Sequence, residues 1–446
     1  MLNFIKKHIP KTLFKKLQPM YHFVINYLAA VVYRFPSEEL IVVGVTGTTG
    51  KTTVTYMTAQ ILGYAGMRVG YTSTAMFSDG RTAWLNDKKM TMVGRFFTQK
   101  MLRKMVNNGC NVAIVETTSE GAVQYRHRFI NYDVMVFTGL YPEHIESHGG
   151  FENYKKAKQK LFAHVSNSNG KVFIDKKERK TIIANLDDEY AKDFICFDAN
   201  KKIGFSIGMD KVPEDIELIT YSFDGMSKTG TKMTFAGEKI QMNILGDFNA
   251  TNAAAAGSIC HALGVNNQSI KKGLEKIRDL PGRLERIDEG QDFTVIVDYA
   301  FEPVAVTKLY ETVRVLEPQN IIHVLGSAGG GRDISRRAQL GAIAGERADM
   351  VIITNEDPYD DDPRAIMNAV MEGSLQAGKR EGENVFIIED RGDAIEKAIS
   401  FAGKDDIVLV TGKGSEQAIV GKDNTLVPWD DRDAVRKSLK KIGKSY

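Results

Sequence analysis

The chain has 446 residues, 43% of them hydrophobic and 26% charged, with a formal net charge of +3. That length asks for two or three domains, and the near balance of charge gives no case for a nucleic-acid partner. Cys110, Cys196 and Cys260 are far apart with no CxxC pair, which argues against a zinc site or disulfide framework and fits a reducing cytoplasm.

In chain order, residues 1–19 (MLNFIKKHIPKTLFKKLQP) come first, with five lysines, no acid, and Ile5, Ile9, Leu13 and Leu17 at steps of four. A basic amphipathic segment of this kind suits an anionic membrane face. The alternative is a solvated helix packed on the body, and Pro10 is expected to interrupt any long helix. Residues 20–33 are apolar but include His22 and Asn26, and are too few to span a bilayer. No cleavable signal peptide is apparent, because the lysines run into more lysines and a proline before the apolar stretch. Residues 1–39 read as a short basic and apolar segment, with peripheral membrane contact through residues 1–36 as an expectation for a cytoplasmic chain at the inner membrane face.

From residue 40, short β-branched runs (LIVVGVT, NVAIVETT, YDVMVFTGL) alternate with helical stretches such as GKTTVTYMTAQILGYAG and RFFTQKMLRKMVNNG. This is a parallel-sheet α/β pattern. A β-rich polar stretch follows at about 200–245, then the small-residue helix NATNAAAAGSICHALG. The Pro-Gly break of DLPGRLERI (279–287) marks a boundary. Beyond it FTVIVDYA, NIIHVLGSAGGGRD, ADMVIITNE, NVFIIED and DIVLVTGKG alternate with helices again. The expected fold is a central P-loop-type ATPase domain with a parallel sheet (40–281) and a C-terminal Rossmann-like α/β domain (282–446).

VVGVTGTTGKTT (42–53) reads as strand, glycine turn and helix. Backbone N–H groups converging on a helix N-terminus bind phosphate. Gly47 and Gly50 let the backbone close on the anion, Lys51 reaches the β/γ-phosphates, and Thr52 or Thr53 is placed to ligate Mg²⁺. Val45 stands where the strict Walker pattern has glycine. AIVETTSEG puts Glu116 at a strand's carboxyl end, and GLYPEHIESHGG puts Glu143 and His144 after the next strand, where open α/β sheets bind ligands.

With these residues in view the chain resembles the Mur ligase family of ATP-dependent amide-forming enzymes. GVTGTTGKTT is similar to its phosphate loop, ETTSEGAVQYR to the EVSSHxLxQxR segment of the MurE branch, and HIESHGGFENYKKAKQKLF to that branch's HLDYHG…Y..AK..LF run. LGDFNATNAAAA, LPGRLERI, VDYAFEP, LGSAGGGRD, TNEDPYDDDP and TGKGSE follow in family order, so the resemblance covers about residues 40–446. It implies an ATP- and Mg²⁺-dependent ligase that adds an amino acid to a muramyl-peptide precursor through an acyl phosphate, in peptidoglycan synthesis.

Residue by residue, it implies that Gly47, Thr48, Thr49, Gly50, Lys51, Thr52 and Thr53 hold ATP phosphates, with Asn249, Arg283 and Asp298 on the rest of the nucleotide. Thr52, Glu116 and His144 would hold magnesium, and Lys158 stands where the family carries a carbamylated lysine. Without the family, Lys158 is one of several lysines on a solvated helix face. Arg332 would pair with the γ-phosphate or the incoming carboxylate. Thr91, Thr118, Gln124 and Arg126 match positions that hold the sugar-peptide substrate, and Gly412 and Glu416 positions that hold the amino acid's α-amino end.

Three departures stand out. Only about 40 residues precede the phosphate loop, where MurE enzymes have a uridine-nucleotide domain, so the acceptor's carrier is left open. The family's YAH is YAF here, with Phe301. The diaminopimelate-adding branch has DNPR where this chain has EDPY, and Tyr359 cannot form arginine's bidentate pair with a distal carboxylate. The acids Glu356, Asp357, Asp360, Asp361 and Asp362 suit a distal ammonium instead, so lysine or a similar diamine is the expected amino acid. A folylpolyglutamate or cyanophycin synthetase-like ligase, a MurT-like ligase on a lipid-linked carrier, and a nucleotide-dependent scaffold are the rival readings.

Overall fold

The computed structural model describes residues 11–143, 148–173, 176–177, 180–209, 211–331 and 333–442. Ile5, Ile9 and Pro10 of the N-terminal segment lie outside them, as do His144 and Arg332.

The first described element, α1 (Lys11–Val32), runs unbroken through Pro19, so residues 11–19 and the apolar stretch after them form one helix. Two large sheets make up most of the rest, with two two-stranded ribbons beside them (Val172–Phe173 with Lys176–Lys177, and Ala418–Val420 with Leu426–Pro428), and the class is α/β as expected. The first has eleven strands. At its centre lies β1 (Ile41–Thr46), followed by α2 (Lys51–Tyr64), β2 (Val69–Thr72), β3 (Met76–Ser78) and β4 (Ala83–Leu85). Next come α3 (Arg95–Asn107), β5 (Val112–Glu116), α4 (Ser119–Val123), β6 (Val134–Phe137) and α5 (Phe151–Ser166). The remaining strands are β7 (Thr181–Asn185), β8 (Lys201–Ser206), β9 (Ile216–Ser227), β10 (Gly230–Phe235) and β11 (Glu238–Met242), in the order β11-β10-β9-β8-β7-β6-β1-β5-β2-β3-β4. From β9 to β2 the pairings are parallel, and the hairpins at both edges are antiparallel.

β1 and β5 are buried at nearly every position, which is why they read as continuous apolar runs rather than as alternating ones. The small-residue helix α6 (Phe248–Ala262) and α7 (Asn267–Lys276) cover one face together with α2. Ala253 to Ala256 are fully or almost fully buried, and a Cβ at Gly273 of α7 would come within 2.8 Å of Ile61 Cα on α2. Close helix contact explains the small residues. On the other face α5 buries Tyr154, Ala157, Lys158, Leu161, Phe162 and Val165. These fall at i, i+3, i+4, i+7, i+8 and i+11, one helical stripe, so Lys158 lies in the apolar seam and not on a solvated face.

The second sheet has six strands: β12 (Glu285–Ile287), β13 (Thr294–Asp298), β14 (Ile321–Leu325), β15 (Met350–Ile353), β16 (Val385–Ile387) and β17 (Ile407–Thr411), in the order β12-β13-β17-β14-β15-β16. All pairings but β12–β13 are parallel. Helices α8 (Pro303–Arg314), α9 (Ser335–Arg347), α10 (Pro363–Gln376), α11 (Arg391–Phe401) and α12 (Asp431–Ile442) flank it. In each sheet the order reverses beside a central strand, and such switch points place binding crevices at strand carboxyl ends.

Candidate active site

Parallel register aligns the carboxyl ends of β1, β5 and β6, with Val45 opposite Glu116 and Thr46 opposite Phe137. The 47–50 turn leaves β1 at this edge. A Cβ on Gly47 would sit 2.0 Å from Thr138 Oγ1, and Gly50 initiates α2 at φ 79°; only glycine meets the first demand, and it meets the second without strain. Thr48 N donates to Gly139 O at 2.8 Å, and the Thr48 hydroxyl lies 3.1 Å from the Tyr154 hydroxyl. Thr138 Oγ1 donates to Thr49 O at 2.7 Å. The loop is therefore fastened before any ligand arrives.

Lys51 Nζ folds back onto Gly47 O at 3.1 Å and Thr48 O at 2.7 Å. Burial lowers its pKa; Glu116 opposes that, and Arg283 adds to it. Lys158 Nζ donates to Gly47 O at 2.8 Å from below the same loop. Burial and the neighbouring Lys51 push the Lys158 pKa well down. Glu116, 1% exposed, accepts from the Thr52 hydroxyl at 3.0 Å, from Thr74 N at 2.8 Å and from the Thr74 hydroxyl at 2.9 Å. The same Thr74 hydroxyl accepts from the Thr91 hydroxyl at 2.9 Å. A carboxylate and hydroxyls around a phosphate loop are the hard oxygen donors that Mg²⁺ prefers, and Lys158 in its neutral form is the amine that carbamylation requires.

The second sheet closes the cleft. Arg283 Nη2 reaches the Thr52 hydroxyl at 3.4 Å, and its guanidinium lies 4.2 Å from the Tyr299 ring centroid. Asp298 accepts from Leu284 N at 2.6 Å and Ala300 N at 2.7 Å, and burial raises its pKa. Tyr141 Oη donates to Glu302 Oε1 at 2.9 Å, tying the loop after β6 to the N-cap of α8. The cleft between the sheets holds about 490 Å³ and is lined by Thr48 to Thr53, Thr91, Glu116, Thr118, Asn249, Arg283 and Asp298. Asn249 bonds to Leu245 O and Asn252. Phe301 is covered by the Arg336 guanidinium at 5.5 Å.

A second cluster forms where loops after β15 and β17 meet. Lys413, fully buried, donates to Asp357 Oδ1 at 2.7 Å and to Glu416 Oε2 at 2.8 Å. Lys89, from the loop after β4, donates to Asp357 Oδ2 at 2.9 Å, Glu416 Oε2 at 2.5 Å and Ala418 O at 3.1 Å. Lys89 and Lys413 outweigh burial and lower the Asp357 pKa, while burial and Asp357 raise that of Glu356. Glu356 faces Gly412, whose Cβ would lie 2.4 Å from Glu356 Oε2. Tyr359 packs its ring on Gly330 of the glycine-rich loop.

The acidic run divides by role: Asp360 accepts from Asp423 N, Asp361 pairs with Arg337, and Asp362 caps α10. Only Glu356 and Asp357 of the run face this cluster. At the acceptor end, Thr118 caps α4, and Gln124 Oε1 accepts from Arg126 Nε and Nη2 at 3.1 and 2.7 Å.

Sequence reasoning missed Thr74, Lys89 and the Tyr141–Glu302 tie. DKKM around Lys89 carries no signal beyond that of a solvated charged turn, although its partners were already in hand.

Residues 45–260 match the family described as Mur ligase middle domain, and residues 282–414 match Mur ligase, glutamate ligase domain. A UDP-N-acetylmuramyl-tripeptide synthetase of Roseiflexus sp. (strain RS-1) is 36% identical over 433 residues, covering 93% of this chain and 82% of that protein. A UDP-N-acetylmuramoyl-L-alanyl-D-glutamate--2,6-diaminopimelate ligase of Geobacillus thermodenitrificans is 33% identical, covering 93% and 81%. Among solved structures, Mycobacterium tuberculosis folylpolyglutamate synthase complexed with ADP and AMPPCP shares the fold at TM-score 0.63 and 16% identity, covering 87% of this chain and 91% of that one.

Proposed function

Because the chain belongs to the Mur ligase family, we propose that it is a MurE-type ATP-dependent ligase that joins an amino acid to a muramyl-peptide acceptor in peptidoglycan synthesis. One observation carries the reading: the phosphate loop of one sheet and the strand ends of the other open into a single cleft, with Thr52, Glu116, Arg283 and Asp298 on its walls. We assign phosphate binding to the 47–53 loop, the adenosine end to Asn249, Arg283 and Asp298, and the acceptor to Thr91, Thr118, Gln124 and Arg126. The division into 40–281 and 282–446 is read as two lobes, with LPGR as their hinge.

The acceptor carboxylate attacks the γ-phosphorus of ATP, giving an acyl phosphate and ADP. The amino acid's amine then attacks the acyl carbon, phosphate leaves, and the new ammonium loses a proton. Two anions must first be pressed together, and preorganised cations lower that barrier. Lys51 supplies one at the phosphates, with Arg332 assigned beside it. Magnesium held by Thr52, Glu116 and His144, with Lys158 as its carbamate, would neutralise phosphate charge. The Tyr141–Glu302 and Lys89 contacts hold the lobes together, which keeps water from the acyl phosphate.

We assign the amino acid's distal ammonium to Asp357, where it replaces Lys89 Nζ, and its α-amino end to Gly412 and Glu416. With tyrosine at position 359, this favours lysine or a similar diamine over diaminopimelate. Contact of residues 1–36 with a membrane face, in a cytoplasmic enzyme, belongs to the same reading; no helix among the described residues is long and apolar enough to cross a membrane.

The test is ADP release and product mass with ATP, UDP-muramyl-dipeptide and a panel of amino acids. The expected product carries lysine, and Lys51→Ala abolishes turnover. A clear preference for diaminopimelate defeats the specificity, and absence of any product with every amino acid defeats the ligase reading.

A further inference from the structure

Helix α1 is built inside out. Its polar residue Asn26 is 3% exposed and donates to His22 O and Gln124 O, while Ala29 and Ala30 are fully buried beside it. The opposite side carries Met20, Phe23, Val24, Leu28, Val31 and Val32, each between 43% and 62% exposed. No charged residue interrupts positions 20–33. A surface helix in water shows the reverse arrangement, and a contiguous apolar face marks an interaction site.

Charge decides between occupants. Residues 1–37 contain Lys6, Lys7, Lys11, Lys15, Lys16 and Arg34 and no acid. An apolar strip continued by an acid-free basic segment matches the acyl–headgroup boundary of an anionic bilayer. A protein partner or a second copy would not call for that charge bias.

The body side of α1 adds a direction. Arg95 at the start of α3 bonds to His22 and lies 5.9 Å from the Tyr21 ring centroid. Burial lowers its pKa, and Arg95 in turn depresses that of Arg126, which burial already lowers. Arg95 Nε is buried without a hydrogen-bond partner. Asn26 meets Gln124 O, and Gln124 Oε1 in turn accepts from Arg126 Nε and Nη2, so α1 packs directly against the segment assigned to the acceptor.

We infer that α1 lies along the surface of an anionic bilayer, apolar face down, and holds the Gln124–Arg126 segment beside an acceptor carried on that surface by an anionic, membrane-anchored group. The docking gives a helix face and a lipid charge to the membrane contact proposed above, and the inference rests on the ligase reading for what the acceptor becomes.

The experiment is sedimentation of the full chain with vesicles of phosphatidylcholine alone and of phosphatidylcholine mixed equally with phosphatidylglycerol. Binding is expected to the mixed vesicles and to be at least ~10-fold weaker to the neutral ones. Val24→Glu/Leu28→Glu should abolish it, and replacing the five lysines of residues 1–19 by glutamine should weaken it ~10-fold or more. Both variants should keep wild-type ADP release with a soluble acceptor, which separates a failure of docking from a failure of the ligase assignment. Equal binding to both vesicle types, absence of binding, or a dimer in analytical ultracentrifugation that Val24→Glu/Leu28→Glu dissociates would overturn the inference.

Discussion

Replacing Lys89 by methionine tests how the two lobes are held. The Lys89 ammonium and its partners form a neutral quartet: Asp357 and Glu416 against Lys413 and Lys89. Its side chain is 10% exposed, as is that of Asp357, with Glu416 at 15%. Lys89 also adopts φ 51°, a left-handed conformation that costs about 1 kcal/mol for a residue with a Cβ, so its contacts must more than repay that strain. Removing one partner of a buried pair costs about 3–5 kcal/mol. Here both carboxylates keep Lys413, so roughly half, about 2 kcal/mol, is expected.

All of that energy spans the lobes, because Lys89 follows β4 and its partners follow β15 and β17. Lys89→Met should therefore shift the unliganded closure equilibrium by about 30-fold toward open forms, one factor of ten per 1.36 kcal/mol. It also removes the internal competitor of an incoming ammonium, so KM for lysine should fall by up to the same factor. Small-angle scattering reads the first effect and ADP release the second. A double-mutant cycle with Glu416→Gln, followed by denaturant unfolding, should give a coupling of about 2 kcal/mol. Unchanged scattering together with a coupling under about 0.5 kcal/mol would refute the reasoning.

Lys158→Met should abolish ligation yet stabilise the chain in carbonate-free buffer. The native pKa lies below the ordinary 10.5, so the unfolded state binds the extra proton and native stability falls as pH drops from 10.5 toward the native value. The variant's advantage should be present at neutral pH and vanish above 10.5, as read by denaturant unfolding against pH. His323 is fully buried between the Tyr310 hydroxyl at 2.7 Å and the Thr411 hydroxyl at 2.9 Å, its pKa lowered from 6.5 to about 3. Its contribution is complete above pH 6.5 and is lost as pH falls toward 3; His323→Gln should flatten that limb by at most about 5 kcal/mol. Asp431→Asn leaves Arg391, paired at 2.7 Å and almost fully buried, without its counter-charge, and should cost about 3–5 kcal/mol in urea unfolding.

The alternation of apolar runs and helices determined the α/β class, and the glycine spacing with Lys51 and Thr52 determined the phosphate loop. Both are local patterns: a buried parallel strand is a short β-branched run, and an anion turn needs glycines within a few residues of one another. The strand-end positions of Glu116 and Asp298 were legible for the same reason. Lys158 was legible in principle, since Tyr154, Ala157, Leu161 and Phe162 set a stripe that contains it, but a lysine among lysines hides that periodicity.

Tertiary structure alone decided what depends on residues far apart in sequence. Lys89 meets Asp357 and Glu416 across more than 260 positions, and nothing within a few residues of DKKM encodes that encounter. The acidic run after Glu356 looked like one surface until folding spent Asp360, Asp361 and Asp362 on a loop amide, Arg337 and a helix cap. Likewise α1 was recognisable as apolar, but which side faces the body follows from Asn26 finding the Gln124 carbonyl. Local propensity fixes elements and short-range turns, whereas the partner of a long side chain is fixed only when two lobes close on it.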